Sequence, residues 1–154
     1  YEQFRFILPG FNLRPTEING AIGLQQLKKI DKIIINRRKN AAFYKEHIGK
    51  LDNIIIQQEI GESCWLGFSI IINETSLFKR SDLINSFKEN GIESRPIVAG
   101  NIVKNEFFQK YAKYEIFDDL DNSNKIHHNG FFIGNHGYDI LSGLEKVKQI
   151  ISNF

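Results

Sequence analysis

An asparagine and an arginine in a loop before a predicted helix form the first candidate site. Asn12 and Arg14 lie in a segment bracketed by Pro9 and Pro15, a composition typical of an irregular loop. The N-terminus of a helix favours phosphate through its free N–H groups and dipole, and an arginine adds a fork of donors. The segment therefore predicts an anion site. The alternative is that Asn12 caps a turn and Arg14 pairs with Glu17 on the surface.

A second arginine and asparagine follow a predicted strand. Arg95 stands at the end of that strand, and Asn101 lies in the glycine-containing loop after it. Loops at strand ends are common binding positions, and an arginine there suits the phosphate of a sugar nucleotide. A structural turn in which Asn101 bonds its own backbone is the alternative, and the sequence leaves both open.

The histidines do not form a metal-binding pattern. His127 and His128 are adjacent, so on a helix they point about 100° apart, and no HxxxH or HxH spacing accompanies them. No metal site is predicted. His136 lies between Gly134 and Gly137, in a loop flexible enough to bring the imidazole to a ligand. The alternative for His136 is a loop side chain that bonds the backbone.

The sequence shows no self-sufficient catalytic group. Cys64 stands beside Trp65 in an apolar run, which predicts a core side chain and not a nucleophile. There is no dinucleotide-binding glycine motif, P-loop or nucleophile elbow. No catalytic residue is therefore predicted within this chain.

These candidate residues must be positioned by a helix-rich frame. Periodicity predicts, in order, a helix over 15–48, strands over 54–57 and 64–72, a helix over 80–91, a strand over 92–95, short helical turns within 101–117, a helix over 118–129, a strand over 131–134 and a helix over 139–151. At 1.5 Å per residue the first helix would be roughly 50 Å long, so a bend near Asp31 is expected. The order predicts an α+β fold: a long N-terminal helix, then a small mixed or antiparallel sheet with helices packed on one side.

Composition bounds the class of protein. The chain has 154 residues, 42% of them hydrophobic, which suits one compact domain. With 20 basic and 18 acidic residues the net charge is +2, which gives no electrostatic reason for a nucleic-acid partner. No apolar run suits a membrane span. One cysteine and no visible signal peptide favour a cytoplasmic location. The absence of methionine and the start at Tyr1 lead us to expect a fragment of a longer polypeptide.

Four blocks in this order resemble one known family: residues 9–27, 61–68, 94–101 and 129–136. They are similar to signatures of the DegT/DnrJ/EryC1/StrS family, which are pyridoxal-phosphate-dependent sugar aminotransferases and dehydratases of aminotransferase fold type I. The resemblance spans nearly the whole chain. The blocks RPIVAGN and GNH resemble the dehydratase branch.

The resemblance implies the C-terminal portion of such an enzyme. Residues 1–14 would be a loop from a cofactor domain that this sequence does not contain, residues 15–48 a linking helix, and residues 49–154 the small α+β domain. Homodimerisation through the subunit interface of the longer protein is implied as well.

The resemblance also assigns roles to the candidate residues. In the family, the asparagine matching Asn12 reaches the cofactor phosphate of the other subunit, and the arginine matching Arg14 helps to bind cofactor or substrate there. Arg95, Asn101 and His136 match blocks that lie near the substrate.

The function implied is 3-dehydration of a nucleotide-linked 4-keto-6-deoxy sugar in deoxysugar and O-antigen biosynthesis, with pyridoxal phosphate as cofactor. Amination of such a sugar is the alternative, and a histidine or lysine outside this sequence decides between them. This chain alone is expected to bind no cofactor tightly and to be inactive. An alternative of another class is a non-catalytic α+β module that dimerises through its long helix and the loop around residues 12–14.

Overall fold

The described part of the chain is built from helices and one small sheet. The computed structural model describes residues 5–11 and 13–154. Its helices are α1 (Glu17–Leu27), α2 (Ile30–Phe43), α3 (Arg80–Glu89), α4 (Glu106–Tyr111), α5 (Asp121–Asn129) and α6 (Leu141–Ser152). Its strands are β1 (Ile54–Ile56), β2 (Gly67–Ile72), β3 (Ser94–Arg95) and β4 (Gly130–Gly134). A π-helical turn, Tyr44–Ile48, continues α2, and a 3₁₀ turn, Ile102–Lys104, precedes α4.

The helical segment that opens the chain is interrupted between α1 and α2. At the break, the amide of Lys29 donates to the carbonyl of Gln26 at 2.9 Å, which closes α1 with a tighter turn. The interruption therefore lies slightly before Asp31, where a bend was expected. None of the α1 side chains is buried, whereas the end of α2 buries Asn40 and Ala41.

The four strands form one antiparallel sheet in the order β1–β2–β4–β3. Ile54 pairs with Ile72 across β1 and β2, and Phe68 pairs with Ile133 across β2 and β4. The strand last in sequence thus lies between β2 and β3. This arrangement confirms the predicted α+β class and its small mixed or antiparallel sheet.

The core lies between one face of this sheet and the helices. Alternate side chains of β2 are buried, as period-2 patterning requires. They meet α2 with its π-helical turn, α3 and α6 in a single cluster of buried apolar residues. Tyr44 stacks on Phe68 with ring centroids 4.4 Å apart, and its hydroxyl donates to the carbonyl of Ser69 at 2.9 Å. Burial raises the pKa of Tyr44 well above its ordinary value.

Two predicted strands are shorter in the structure. The run from Cys64 to Leu66 was predicted to be extended, but β2 begins only at Gly67. The reason is Trp65, whose φ of +53° lies in the left-handed region and cannot continue a strand. Likewise β3 does not include Ile92, because the amide of Ile92 is used to close the end of α3 on the carbonyl of Phe87 at 2.8 Å.

Candidate functional site

Two of the predicted site residues meet in one surface groove. Arg95 and His136 both line a cavity of about 590 Å³ at the end of the sheet where β4 finishes and α6 begins. Much of the remaining wall is apolar and includes Leu66, Phe132, Ile140, Leu144 and Val147. We call this cavity the sheet-end groove. A groove with an apolar wall and a few polar groups is the common form of a small-molecule site.

The cation of the groove is held by a carboxylate. Arg95 is the last residue of β3 and pairs with Phe132 of β4. Its Nε and Nη2 atoms donate to Oε1 of Glu93 at 3.0 and 2.8 Å. Both side chains are more than half exposed. Because exposed ion pairs contribute little, an incoming anion can displace Glu93 at low cost.

The lining of the groove also includes two stacked rings. The imidazole of His136 lies on the phenol ring of Tyr138 with centroids 5.0 Å apart and planes 17° apart. Both side chains are exposed and project from residues 135–140, which we call the post-β4 segment. Tyr138 was not a predicted site residue, and only its position two residues after His136 could have indicated it. A flat ring and a cation at one groove can bind an anionic ligand that carries a planar group.

Asn101 lies away from this groove. Its side chain is 3% exposed, and Oδ1 accepts from the amide of Val103 at 3.2 Å, which caps the 3₁₀ turn. Its Nδ2 donates to Oδ1 of Asn124 at 2.9 Å, and its backbone amide donates to Nδ1 of His127 at 3.3 Å. The structure therefore brings Arg95 and His136 together and places Asn101 at the far end of the loop that follows Arg95, outside the lining of the groove.

The loop held by Asn101 is strained. Val98 has a φ of +48°, an unfavourable conformation for a β-branched residue. A side chain at Gly100 would collide with the ring of His127, 2.5 Å away. Burial, followed by the charges of His128, Lys104 and Arg80, holds the pKa of His127 below its ordinary value of 6.5. A neutral imidazole is thus available to accept the amide of Asn101.

The predicted anion loop before α1 is only partly described. Asn12 lies outside the described residues. Arg14 is exposed, and its guanidinium makes no hydrogen bond or ion pair with residues 5–11 or 13–154. The suggested pairing of Arg14 with Glu17 is therefore not present. Asn19 instead accepts from the amide and hydroxyl of Thr16 at 2.9 and 2.8 Å, which fixes the start of α1.

A second, smaller cavity of about 230 Å³ lies beside Trp65. Glu59 lines it and accepts from Nε1 of Trp65 at 2.9 Å, from the amide of Ser63 at 3.1 Å and from Nζ of Lys45 at 2.8 Å. These bonds, that of Lys45 first, lower the pKa of Glu59 to about 2. Cys64 in the same loop is a free, partly buried thiol. Sequence reasoning did not identify Glu59, because no motif marks a loop carboxylate.

Neither a metal-binding cluster nor a membrane-spanning helix is found in residues 5–11 and 13–154. No group of three or more His, Cys, Asp or Glu side chains there is arranged to hold a metal ion. None of the helices formed by those residues is both long and apolar enough to cross a membrane.

Known proteins similar to this chain agree with the resemblance of its sequence blocks. A GDP-4-keto-6-deoxy-D-mannose 3-dehydratase of Yersinia pseudotuberculosis is 43% identical over 150 residues, which are 97% of this chain and 38% of the relative. The protein of that name from Escherichia coli O55:H7 (strain CB9615 / EPEC) is 41% identical over 150 residues, again 97% of this chain but 39% of the relative. The likeness to the dehydratase branch is thereby confirmed.

A solved structure extends the likeness to the fold. The E. coli GDP-4-keto-6-deoxy-D-mannose-3-dehydratase with bound hydrated PLP matches with a TM-score of 0.84 and 41% identity. The match covers 97% of this chain and 38% of that one. This chain thus spans less than two fifths of the length of these relatives.

The profile of the DegT/DnrJ/EryC1/StrS aminotransferase family matches residues 1–153. That match covers almost all of the 154 residues and agrees with the sequence identities and the structural likeness above. The chain therefore belongs to the DegT/DnrJ/EryC1/StrS aminotransferase family.

Proposed function

We propose that this chain supplies the small domain of a pyridoxal-phosphate-dependent enzyme that removes the 3-hydroxyl group of a GDP-linked 4-keto-6-deoxy sugar. The observation that carries the proposal is 41–43% identity to two GDP-4-keto-6-deoxy-D-mannose 3-dehydratases over 97% of the chain. The place of such a reaction in deoxysugar and O-antigen biosynthesis is part of the proposal.

The described residues fit one part of pyridoxal phosphate. Arg14 is an exposed cation without a described partner, and it stands directly before the N-terminus of α1. A guanidinium and a helix N-terminus together suit the phosphate group of the cofactor. We propose that Arg14 and Asn12 bind this phosphate across a homodimer interface. When bound, the cofactor supplies the electron sink that the chemistry at the sugar requires.

We propose that the sheet-end groove faces the sugar nucleotide. Arg95 would exchange Glu93 for an anionic group of the substrate, because its present ion pair is exposed and weak. His136, which lines the same groove, would also contact the ligand. Asn101, assigned by resemblance to the substrate, would act from behind by holding the strained loop after Arg95.

The test is an assay of the polypeptide that carries this chain, loaded with pyridoxal phosphate and given an amino donor and a GDP-linked 4-keto-6-deoxy sugar. Mass spectrometry distinguishes a product that lacks the 3-hydroxyl oxygen from one that has gained an amino group. The first product is expected. An amino sugar would overturn the proposal in favour of amination, and no conversion by cofactor-loaded protein would favour a non-catalytic module.

This chain by itself is proposed to be inactive. Arg14 and Asn12 offer only the phosphate end of a cofactor site, so titration of the purified chain with pyridoxal phosphate should change neither the absorbance of the cofactor nor the melting temperature. Saturable binding at micromolar cofactor would show that the chain holds a larger share of the site.

A further inference from the structure

A buried amide of α2 holds the segment that carries the stacked rings. Asn40 is 0% exposed. Its Nδ2 group donates to Oδ1 of Asn135 at 3.0 Å and to the carbonyls of His136 and Tyr138 at 3.3 and 2.9 Å. Its Oδ1 accepts from the amide of Ile140 at 3.3 Å. One side chain thereby contacts both ends and the middle of the post-β4 segment.

A second buried amide completes the attachment. Asn135 is 3% exposed, and its Nδ2 donates to the carbonyl of Arg37 at 3.1 Å and to that of Trp65 at 2.9 Å. Each polar atom of the two amide groups has a partner in α2, in the post-β4 segment or in the loop before β2. A buried polar group left without its partner costs more free energy than the bond itself contributes, so this joint resists partial opening.

Around the two buried amides, further polar contacts join α2 to the post-β4 segment. Nδ2 of Asn36 donates to the carbonyl of Gly137 at 2.8 Å, and Nζ of Lys39 lies 2.7 Å from Oδ2 of Asp139. A side chain at Gly137 would meet Ile33, 2.9 Å away. The post-β4 segment therefore lies against α2 at close range, and its backbone follows the position of that helix.

We propose that Asn40 is a positioning residue for the sheet-end groove. It acts through the backbone of the post-β4 segment to fix the His136 and Tyr138 rings, so the groove has its shape only while α2 is docked. The importance of this joint for catalysis rests on the function proposed above, whereas the positioning of the rings can be measured without it.

The direct test is the side-chain NMR spectrum of the four histidines in this chain. His136→Gln identifies the His136 signals by their loss. In the unmodified chain the stacked phenol of Tyr138 should shift the ring protons of His136 upfield. Asn40→Ala should return them to the positions of a solvent-exposed histidine and leave the signals of His47 unchanged.

Two further variants separate positioning from general destabilisation. Asn53→Ala removes one side-chain amide bond, from Nδ2 to the carbonyl of Ile151 at 2.9 Å, and neither of these residues lines the groove. It should lower the melting temperature and leave the His136 signals in place. Should Asn40→Ala not fold, Asn36→Ala removes a single bond to the same segment and should shift the same signals by less. Unmoved His136 signals in a folded Asn40 or Asn36 variant, or equal movement in Asn53→Ala, would overturn the proposal.

The functional arm uses the cofactor-loaded polypeptide that carries this chain. Asn40→Ala should raise KM for the sugar nucleotide roughly tenfold, with a smaller change in kcat, because misplaced binding groups weaken substrate positioning. In a His136→Ala background, Asn40→Ala should have little further effect. Equal and independent losses in both backgrounds would contradict action through His136. Absence of activity in the unmodified enzyme would count against the proposed function alone, since the NMR result decides the positioning.

Discussion

At the scale of single residues, Glu59 joins the loop before β2 to the π-helical turn through one carboxylate. Lys45 comes from the π-helical turn, whereas Ser63 and Trp65 lie in the same loop as Glu59. All three donate to Glu59, and the pKa of Glu59 falls to about 2 as a result. Between about pH 2 and pH 4.5 the Glu59 carboxyl is therefore mostly charged in the folded chain and mostly protonated in the unfolded chain.

We predict that Glu59→Gln destabilises the chain at pH 7. The stabilisation from the charge is present above the ordinary pKa of 4.5 and is lost as the pH falls through the lowered pKa of about 2. Urea midpoints of variant and unmodified chain should therefore differ at neutral pH and converge near pH 2. Glu62→Gln is the control, because that side chain is 86% exposed and lies 3.6 Å from Arg38. A gap that stays constant down to pH 2 would contradict the assignment.

His127 gives a pH dependence of the same sign at higher pH. Its folded pKa is lowered, by burial first, so the unfolded chain takes up a proton before the folded chain does. The contribution of neutral His127 to the free energy of unfolding should be fully present above about pH 6.5. It should fall as the pH drops below that value, until the folded imidazole is protonated and no longer accepts the amide of Asn101.

The matched variant is His127→Asn. Its side-chain oxygen can accept the Asn101 amide and does not titrate, so this part of the acid-side loss of stability should disappear between pH 7 and pH 5. His47→Asn is the control, since His47 contacts the ring of Phe43 and not the strained loop. An unchanged pH profile in His127→Asn would count against the role of the imidazole.

Residue types predicted two side chains of the groove but not the buried amides that position them. Arg95 and His136 were identified because a cation after a strand and a histidine between glycines are recognisable in sequence, and the structure places both at one groove. Asn40 carries no such signal. It ends a run of five polar residues, 36–40, that reads as a solvated helix face, and its partner Asn135 lies 95 positions away. Only the tertiary structure shows that the two amides meet.

At the scale of elements, the end of α3 depends on one glycine. Gly91 has a φ of +73°, and its amide donates to the carbonyl of Lys88 at 3.1 Å while that of Ile92 donates to Phe87 at 2.8 Å. These two bonds are the closing pattern of a helix that ends in the left-handed conformation. They turn the chain directly toward β3 and Arg95.

We predict that Gly91→Ala lowers the free energy of unfolding by about 1 kcal/mol, because a Cβ disfavours this backbone conformation. No atom lies within 4 Å of the added Cβ, so the change tests the backbone alone. Gly143→Ala in α6 is the matched control: it too has open space, and helix propensity predicts a gain of about 0.5–1 kcal/mol. Urea denaturation measures both, and a neutral Gly91→Ala would contradict the strain argument.

Periodicity predicted the helices better than the strands. The predicted helix over 80–91 is α3, and that over 139–151 overlaps α6, since each has an apolar face that packs on the sheet. The predicted strands over 64–72 and 92–95 each begin too early, since β2 starts at Gly67 and β3 at Ser94. Apolar runs such as 64–66 look like strands in sequence. Trp65 nevertheless has a left-handed backbone and donates its indole N–H to Glu59, and hydrophobic periodicity predicts neither feature.

At the scale of the whole molecule, the apolar surface is distributed unevenly. Among the residues that the structure describes, sixteen apolar ones form one buried cluster around the sheet, yet α1 buries none of its own. Ile18, Ile22, Leu24 and Leu27 are each more than half exposed. Several exposed apolar side chains on one helix are typical of a surface that another polypeptide covers. We propose that a second copy of the chain covers it, as the resemblance to a homodimeric family implies.

The last prediction concerns that surface. Sedimentation velocity at increasing concentration should show a dimer or larger species, and the double change Ile18→Glu and Ile22→Glu should shift it to monomer, since two charges on one helix face cannot be buried without partners. Leu77→Glu is the control, because Leu77 is an exposed apolar residue remote in sequence from α1. It should leave the association intact. A monomer at every concentration, or equal loss of association with Leu77→Glu, would mean that α1 is not the contact and that dimerisation, if it occurs, requires other parts of the polypeptide.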